Sequence, residues 1–287
     1  MTALTQQLAY LKLGHVAEHH AALAQEAAAA AWPHLEFLQR LLDGECAVRQ
    51  QRAVERRVRA ARFPVLKTLD QFHWDWPKKI NQLQVQHLFR LGFITQKTNV
   101  IFAGGVGLGK SHLAAALGYA ACQQGHTVLF TTAIDAINHL VAAQAAHRLK
   151  AELNRYLAPA VLILDEIGYL PLDKAGADLL FQIISQRYER GSLIVTTNKA
   201  FKQWSSIFNN DAGITSAIPP EAGKFGPPAA PGRDRRDRRP VLPHERSDRA
   251  ADLNLPLLLV SAVRPTLPRE RRPLRFTPPL RPQFSNR

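Results

Sequence analysis

The sequence predicts an α/β fold in which a parallel sheet is flanked by helices. Four short apolar runs rich in β-branched residues have the composition of buried parallel strands, and the segments between them favour helix. These runs cover residues 100–103, 127–130, 161–164 and 193–195. Residues 2–61 are instead rich in Ala, Leu, Gln, Glu and Arg without a strand pattern. We therefore expect a small helical N-terminal domain over 1–63 and the α/β core over 64–218.

The turn between the first apolar run and the helix after it is rich in glycine. It reads G-G-V-G-L-G-K-S and matches G-x-x-x-x-G-K-[ST], the pattern of a P-loop. Backbone N–H groups of such a loop surround phosphate oxygens, the lysine reaches the β- and γ-phosphates, and the serine holds Mg²⁺. The alternative is a glycine-rich turn that binds no ligand. The predicted nucleotide-binding residues are Gly104, Gly105, Val106, Gly107, Leu108, Gly109, Lys110, Ser111 and His112.

Carboxyl and amide side chains lie at the ends of two later apolar runs. The run 161–164 leads into Asp165 and Glu166, and the run 193–195 leads through two threonines to Asn198. Parallel sheets place their chemistry at the carboxyl ends of strands. We expect Asp165 to join Ser111 as a Mg²⁺ ligand, Glu166 to polarise the attacking water, and Asn198 to sense the γ-phosphate. For Asn198 the alternative is an amide that caps the next helix.

Composition limits the class of protein. The formal net charge is +14, which favours a polyanionic partner such as nucleic acid, although a basic protein without such a partner is the alternative. The two cysteines, Cys46 and Cys122, form no C-x-x-C pair, so neither a disulfide framework nor a zinc site is indicated. No apolar run approaches the ~20 residues of a membrane span, and no secretory signal is recognisable. We expect a cytoplasmic protein.

Three further features have both a functional and a structural explanation. Arginines at positions 49, 52, 56 and 59 follow one helical face that could lie along a phosphate backbone or be only solvated. An aromatic cluster of Phe72, Trp74 and Trp76 could pack an adenine base, with core packing as the alternative. Arg187, before the last strand, could face a neighbouring subunit.

The amino-acid sequences of three segments resemble those of a known family. They read G-G-V-G-L-G-K-S-H-L-A at 104–114, L-I-L-D-E-I-G-Y-L-P-L at 162–172 and S-L-I-V-T-T-N-K-A-F-K-Q-W at 192–204. The order of these segments along the chain is similar to that in AAA+ ATPases. Their sequences resemble those of the IstB-like transposition helper ATPases, which are relatives of the DnaC-type helicase loaders. The resemblance covers about residues 5–218. It implies an AAA+ core that binds ATP and Mg²⁺, assembles as a homo-oligomer on duplex DNA and delivers a transposase.

The same resemblance assigns roles by position and leaves other functions open. By position, Lys110 matches the ligand of the phosphates and Ser111 matches a ligand of Mg²⁺. Asp165 matches the second metal-binding residue, and Glu166 matches the residue that activates the attacking water. Asn198 matches the residue that the family calls the first sensor. The alternative function is that of a helicase loader. The two functions differ in the partner protein, which is a helicase for a loader and a transposase for a transposition helper. A third possibility is a remnant that binds ATP and DNA without turnover.

The chain departs from the family pattern after residue 218. The family continues with a helix that contains an Asp-Arg pair, whereas residues 219–287 hold 14 of the 19 prolines and 14 arginines. Such a composition predicts a disordered tail. Two origins remain open, a frame-shifted end of the reading frame and a functional basic tail that binds nucleic acid. Because the family completes its site with an arginine from that helix, two alternatives stay open for this chain, ATP hydrolysis and ATP binding without turnover.

Overall fold

A five-stranded sheet with the order β2-β3-β4-β1-β5 forms the centre of the computed structural model. The structure describes residues 2–75, 80–169, 172–199, 203–204 and 259–263. The strands are β1 (Asn99–Ala103), β2 (Val128–Thr132), β3 (Val161–Ile167), β4 (Ser192–Thr197) and β5 (Leu259–Val263). Strands β1 to β4 pair in parallel, with β4 between β3 and β1. The predicted parallel sheet is confirmed, and each predicted strand appears within two or three residues of its expected bounds.

Helices cover both faces of the sheet. They are α4 (Gln82–Leu88), α5 (Gly92–Thr95), α6 (Lys110–Gln123), α7 (Ala133–Ala145), α8 (Leu149–Leu157) and α9 (Lys174–Gln186). Successive side chains of a strand point to opposite faces. In β3, Val161 and Ile163 accordingly pack in one core with α4, α5 and α6, while Leu162 and Leu164 pack in the other with α7, α8 and α9. The sheet therefore needs apolar residues on both faces, which explains its continuous apolar runs.

Three helices precede the sheet. They are α1 (Ala3–Tyr10), α2 (Gly14–Ala29) and α3 (His34–Ala61), and Leu8, Val16 and Leu41 form a small core of their own. The last helix ends in the main core, where Ala61 is buried and Arg57 Nε donates to Cys122 O at 2.8 Å. The expected helical N-terminal part is thus present from Ala3 to Ala61. None of the helices in the described ranges is both long and apolar enough to cross a membrane.

Glu45 joins α2 to α3. Its buried carboxylate accepts hydrogen bonds from the N–H groups of His15 (2.9 Å) and Val16 (3.3 Å) at the start of α2. Arg49 Nε donates to the same carboxylate at 2.8 Å, and Arg49 Nη2 donates to Lys12 O at 2.8 Å. The Arg49 hydrogen bond, opposed by burial and aided by the two N–H groups, holds the pKa of Glu45 below its usual value. Arg49 therefore has a structural role and is not a free member of the arginine face.

Arg187 is buried, so it does not face a neighbouring subunit as the sequence allowed. It is 1% exposed, and its Nη atoms donate to five backbone carbonyls at 2.7–3.3 Å. These carbonyls belong to Tyr156, Leu157, Pro159, Ala160 and Ser192, which lie at the end of α8 and the starts of β3 and β4. Burial lowers the pKa of the guanidinium to about 10, which leaves it protonated at neutral pH. Arg187 thus ties three elements together.

The last strand lies where the sequence predicts a disordered tail. Of residues 219–287 the structure describes only Leu259–Val263, and these form β5, antiparallel to β1. Over these five residues the structure has a strand instead of disorder. The reason lies in the apolar run Leu-Pro-Leu-Leu-Leu-Val-Ser-Ala-Val at 255–263, which has strand-forming composition and can pair with the otherwise open edge of β1.

Candidate nucleotide-binding site

The glycine-rich loop lies between β1 and α6, as the sequence predicts. All residues of β1 are buried, and the loop turns directly into α6, whose first residue is Lys110. Gly107 and Gly109 have φ values of 79° and 77°, which favour glycine. The N–H of Gly104 donates to Thr197 O at 3.1 Å and so attaches the loop to β4. The loop and the first turn of the helix together present N–H groups suited to an anion.

The segment before β1 packs against this loop. Phe72 is 6% exposed and lies edge-on to both Trp74 and His112, with ring centroids 4.9 Å and 5.4 Å away. A Cβ at Gly109 would lie 2.6 Å from Phe72 Cε2, so the glycine also makes room for the ring. The ring of His112 is hydrogen-bonded to Thr68 O at 2.9 Å. Core packing, the alternative to base binding, therefore accounts for Phe72, while Trp76 lies outside the described residues.

Lys110 occupies the centre of the site. It is 4% exposed, and its Nζ donates to Gly105 O at 2.6 Å and lies 6.0 Å from the centroid of the Tyr169 ring. Burial lowers the pKa of the ammonium, and attraction by Asp165 and Glu166 opposes that shift. The structure describes one carbonyl acceptor for this buried ammonium. Its other N–H groups can therefore donate to phosphate oxygens.

Ser111 and Asp165 meet although they are 54 residues apart in the chain. Ser111 Oγ donates to Asp165 Oδ1 at 2.9 Å, and the hydroxyl of Thr196 donates to the same oxygen. The carboxylate is buried, so its charge is stabilised by these donors and by the nearby Lys110. Mg²⁺ takes oxygen ligands and binds proteins through one or two carboxylates together with substrate phosphates. The hydroxyl and carboxylate oxygens present here fit such an ion.

Glu166 is the exposed residue of an otherwise buried strand. Its φ is 61°, in the left-handed region, and the pairing of β3 with β4 shifts register between Leu164 and Ile167. The resulting bulge turns the carboxylate away from the core, as bulges next to active sites commonly do. The N–H of Glu166 donates to Thr196 Oγ1 at 2.9 Å. Adjacent Asp165 and Glu166 therefore have opposite environments, one buried and one exposed.

Asn198 follows β4, whose last residue Thr197 pairs with Ala103 and Ile167 at the ends of β1 and β3. It therefore lies between the loop and the acidic pair. Its Oδ1 is buried and has no hydrogen-bond partner within the described part of the chain. A buried unpaired oxygen is costly and calls for a further donor, such as water or a ligand. The sensing role predicted for Asn198 stays a prediction.

Two residues at the site were missed in the sequence. Thr196 is hydrogen-bonded to both acids. The sequence signal that could have indicated this contact is a residue with a hydroxyl group at the end of the strand that neighbours the acids. Tyr169, three residues after Glu166, lies near Lys110, and burial together with Glu166 and Asp165 raises the pKa of its phenol. No sequence pattern singled out this tyrosine.

About half of the chain is similar to parts of two solved structures. The DnaC helicase loader is 24% identical, with a TM-score of 0.44, over 52% of this chain and 89% of that chain. AMPPCP-bound DnaA from Aquifex aeolicus is 20% identical, with a TM-score of 0.44, over 49% of this chain and 44% of that chain.

Sequence comparison gives longer matches. A protein of Pseudomonas aeruginosa, described as an ATP-binding protein of insertion sequence IS21, is 38% identical over 218 residues, 76% of this chain and 82% of its own. A corresponding protein of insertion sequence IS5376 from Geobacillus stearothermophilus is 36% identical over 208 residues, 72% of this chain and 83% of its own. The family model of the IstB-like ATP binding proteins matches residues 6–219, which confirms the resemblance seen in the three segments. The chain belongs to the IstB-like ATP binding protein family.

Proposed function

We propose that the chain is an ATP-hydrolysing, DNA-binding helper that assists a transposase in insertion-sequence transposition. The observation that carries the proposal is the convergence of Lys110, Ser111 and Asp165 beside the glycine-rich loop. These are the cation, the hydroxyl and the carboxylate that phosphoryl transfer requires. Family membership supports the same direction, because relatives are described as ATP-binding proteins of insertion sequences.

The loop and α6 hold the triphosphate of ATP in this proposal. N–H groups of residues 104–112 surround the phosphate oxygens, and Lys110 exchanges its bond to Gly105 O for bonds to the β- and γ-phosphates. Ser111 and Asp165 would hold Mg²⁺, which would supply positive charge to the phosphates. The hydrogen bond between the two side chains fixes both oxygens in advance.

Glu166 and Asn198 act on the attacking water. The Glu166 carboxylate accepts a hydrogen bond from the water and then its proton, while the Asn198 amide orients the γ-phosphate or the water. The water oxygen forms a bond to the γ-phosphorus, the bond from that phosphorus to the bridging oxygen breaks, and ADP takes the electron pair. Exposure of Glu166 at the bulge supports its access to this water.

The exposed arginines of α3 are the proposed DNA contact. Arg52, Arg56 and Arg59 lie on one face of the helix, and none of the salt bridges among the described residues includes them. Arg49 and Arg57 are already bound to Glu45 and to Cys122 O. Three exposed guanidinium groups spaced along a helix suit a phosphate backbone. We propose that copies of the chain assemble on duplex DNA through this face, in the cytoplasm, with a transposase as partner.

Steady-state ATP hydrolysis with and without duplex DNA tests this proposal. We expect DNA to stimulate turnover, and we expect the triple variant Arg52→Gln, Arg56→Gln, Arg59→Gln to need more DNA for half-maximal stimulation. The apparent DNA-binding constant of this variant should also depend less on salt. In a plot of the logarithm of that constant against the logarithm of the salt concentration, the slope should be smaller by about 0.9 for each phosphate that the variant no longer neutralises.

The matched control is the double variant Arg148→Gln, Lys150→Gln, which removes exposed cations at the start of α8. It should respond to DNA like the wild type. An equal loss in both variants would contradict the assignment of DNA binding to α3. Turnover that is absent, or that ignores DNA, would contradict the proposed function.

A further inference from the structure

We propose that Thr196 is a positioning residue whose single hydroxyl sets the arrangement of both acids, Asp165 and Glu166. The inference rests on the proposed function, since it concerns how the same site is built. Thr196 lies on β4 and is fully buried. It acts on the reaction through the two carboxylates and is not itself placed against substrate.

The register of the sheet puts Thr196 opposite both acids. Leu164 pairs with Val195, and the next pair is Ile167 with Thr197. Two residues of β3, Asp165 and Glu166, therefore face one residue of β4. A bulge of this kind leaves an extra residue without its regular ladder partner. The Thr196 side chain supplies that partner, because the N–H of Glu166 donates to its Oγ1 at 2.9 Å.

The two hydrogen bonds of Thr196 determine the direction of its proton. Oγ1 accepts from the Glu166 N–H, so its own O–H is directed to its other partner, Asp165 Oδ1. The side chain is β-branched and completely buried, which restricts its χ1 rotation. One hydroxyl is therefore bonded at the same time to the backbone of one acid and to the carboxylate of the other.

Each bond has a consequence for the site. The Thr196 bond and the 2.9 Å bond from Ser111 Oγ both end on Asp165 Oδ1, and together they restrict the rotation of the carboxylate. The bond to the Glu166 N–H stabilises a residue with a φ of 61°, a conformation that non-glycine residues avoid. Loss of the hydroxyl releases the Asp165 carboxylate and the bulge that orients Glu166.

The next residue of β4 provides a matched control. Thr197 is the same residue type, on the same strand and equally buried. Its hydroxyl accepts instead from the Lys199 N–H at 3.1 Å, a contact within the turn after the strand. Substituting Thr197 by Ala therefore removes a buried hydroxyl without removing a bond to either acid.

Comparison of Thr196→Ala with Thr196→Ser isolates the hydroxyl, since both lose the methyl group and only the serine keeps the oxygen. Three quantities are measured on the full chain beside Thr197→Ala. They are kcat and KM for ATP, the Mg²⁺ concentration that gives half-maximal tightening of binding of a fluorescent ATP analogue, and the exchange rate of the Glu166 amide by NMR. The last two require no turnover.

We expect Thr196→Ala to lower kcat by about 10–100-fold with KM little changed, the size of effect usual for residues that orient metal ligands. We also expect its Mg²⁺ midpoint to rise by about 10-fold and its Glu166 amide to exchange faster. Thr196→Ser should restore all three values to near wild type, and Thr197→Ala should retain the wild-type Mg²⁺ midpoint and Glu166 exchange rate.

Equal Mg²⁺ midpoints and equal Glu166 exchange in Thr196→Ala and Thr196→Ser would overturn the proposal. A comparable shift in Thr197→Ala would overturn it as well, because a general loosening of β4 would then explain the effect. If the wild type itself does not hydrolyse ATP, the proposed function fails. The role of Thr196 is then still decided by the Mg²⁺ midpoint and the amide exchange.

Discussion

Replacement of Glu166 by Gln is expected to leave ATP binding intact and to lower the turnover rate by about 10²- to 10⁴-fold. Glutamine keeps the size and polarity of the side chain but cannot accept the proton of the attacking water. Glu166 is exposed on the bulge, so the substitution buries no unpaired group. The bond from its backbone N–H to Thr196 is also retained.

Single-turnover hydrolysis and equilibrium ATP binding measure these two effects separately. Glu189→Gln is the matched control, because Glu189 is also exposed and also has a positive φ, 57°, in the turn after α9. It should hydrolyse ATP like the wild type. Normal turnover in Glu166→Gln, or a loss of ATP binding in this variant, would contradict the role assigned to the carboxylate.

Replacement of Arg187 by Met is expected to lower the free energy of unfolding by about 3–5 kcal/mol. Methionine keeps an unbranched apolar stem but lacks the guanidinium group, so the five carbonyls that this group now contacts lose their hydrogen-bond donors. Two of them, Tyr156 O and Leu157 O, end α8, where a cation is favourable. The guanidinium also packs closely against the backbone of Gly191, where a Cβ atom would lie 2.5 Å from Arg187 Nη2.

Denaturant unfolding of the two variants Arg187→Met and Arg187→Lys tests this prediction. The lysine variant keeps the charge but cannot reach all of the carbonyls with one ammonium, so it should also be destabilised. Arg190→Met removes an exposed arginine from the same turn and should change stability by less than about 0.5 kcal/mol. Equal stability of Arg187→Met and Arg190→Met would contradict the structural role of the buried guanidinium.

Local patterns were sufficient to predict much of the fold and part of the site. The strand, loop and helix around Lys110 depend on glycines and on an apolar run that are adjacent in sequence, so their arrangement can be deduced without the structure. The approach of Asp165 to Ser111 follows from the rule that parallel strands end at one edge of the sheet. The helical segment from residue 3 to 61 follows from composition.

Other features depend on contacts that no local pattern encodes. The role of Thr196 requires the register of β3 against β4 and the bulge at Glu166, and these are set by packing across the whole sheet. Arg187 looked like a surface residue because arginine is rarely buried, yet the ends of three elements place their carbonyls around it. The five residues of β5 follow a long segment whose overall composition is polar, which concealed a short apolar run.

Equilibrium binding of ATP to the wild type and to Lys110→Ala tests the central claim, that the loop at 104–111 is the nucleotide site. We expect the substitution to weaken binding by at least about 10–100-fold, because it removes charge-assisted hydrogen bonds to the phosphates. Lys174→Ala is the control, since Lys174 also begins a helix, α9, but is exposed and far along the chain from the loop. Tight binding to the wild type and the control, with weak binding to Lys110→Ala, is the predicted result. Unchanged binding in Lys110→Ala would contradict the account.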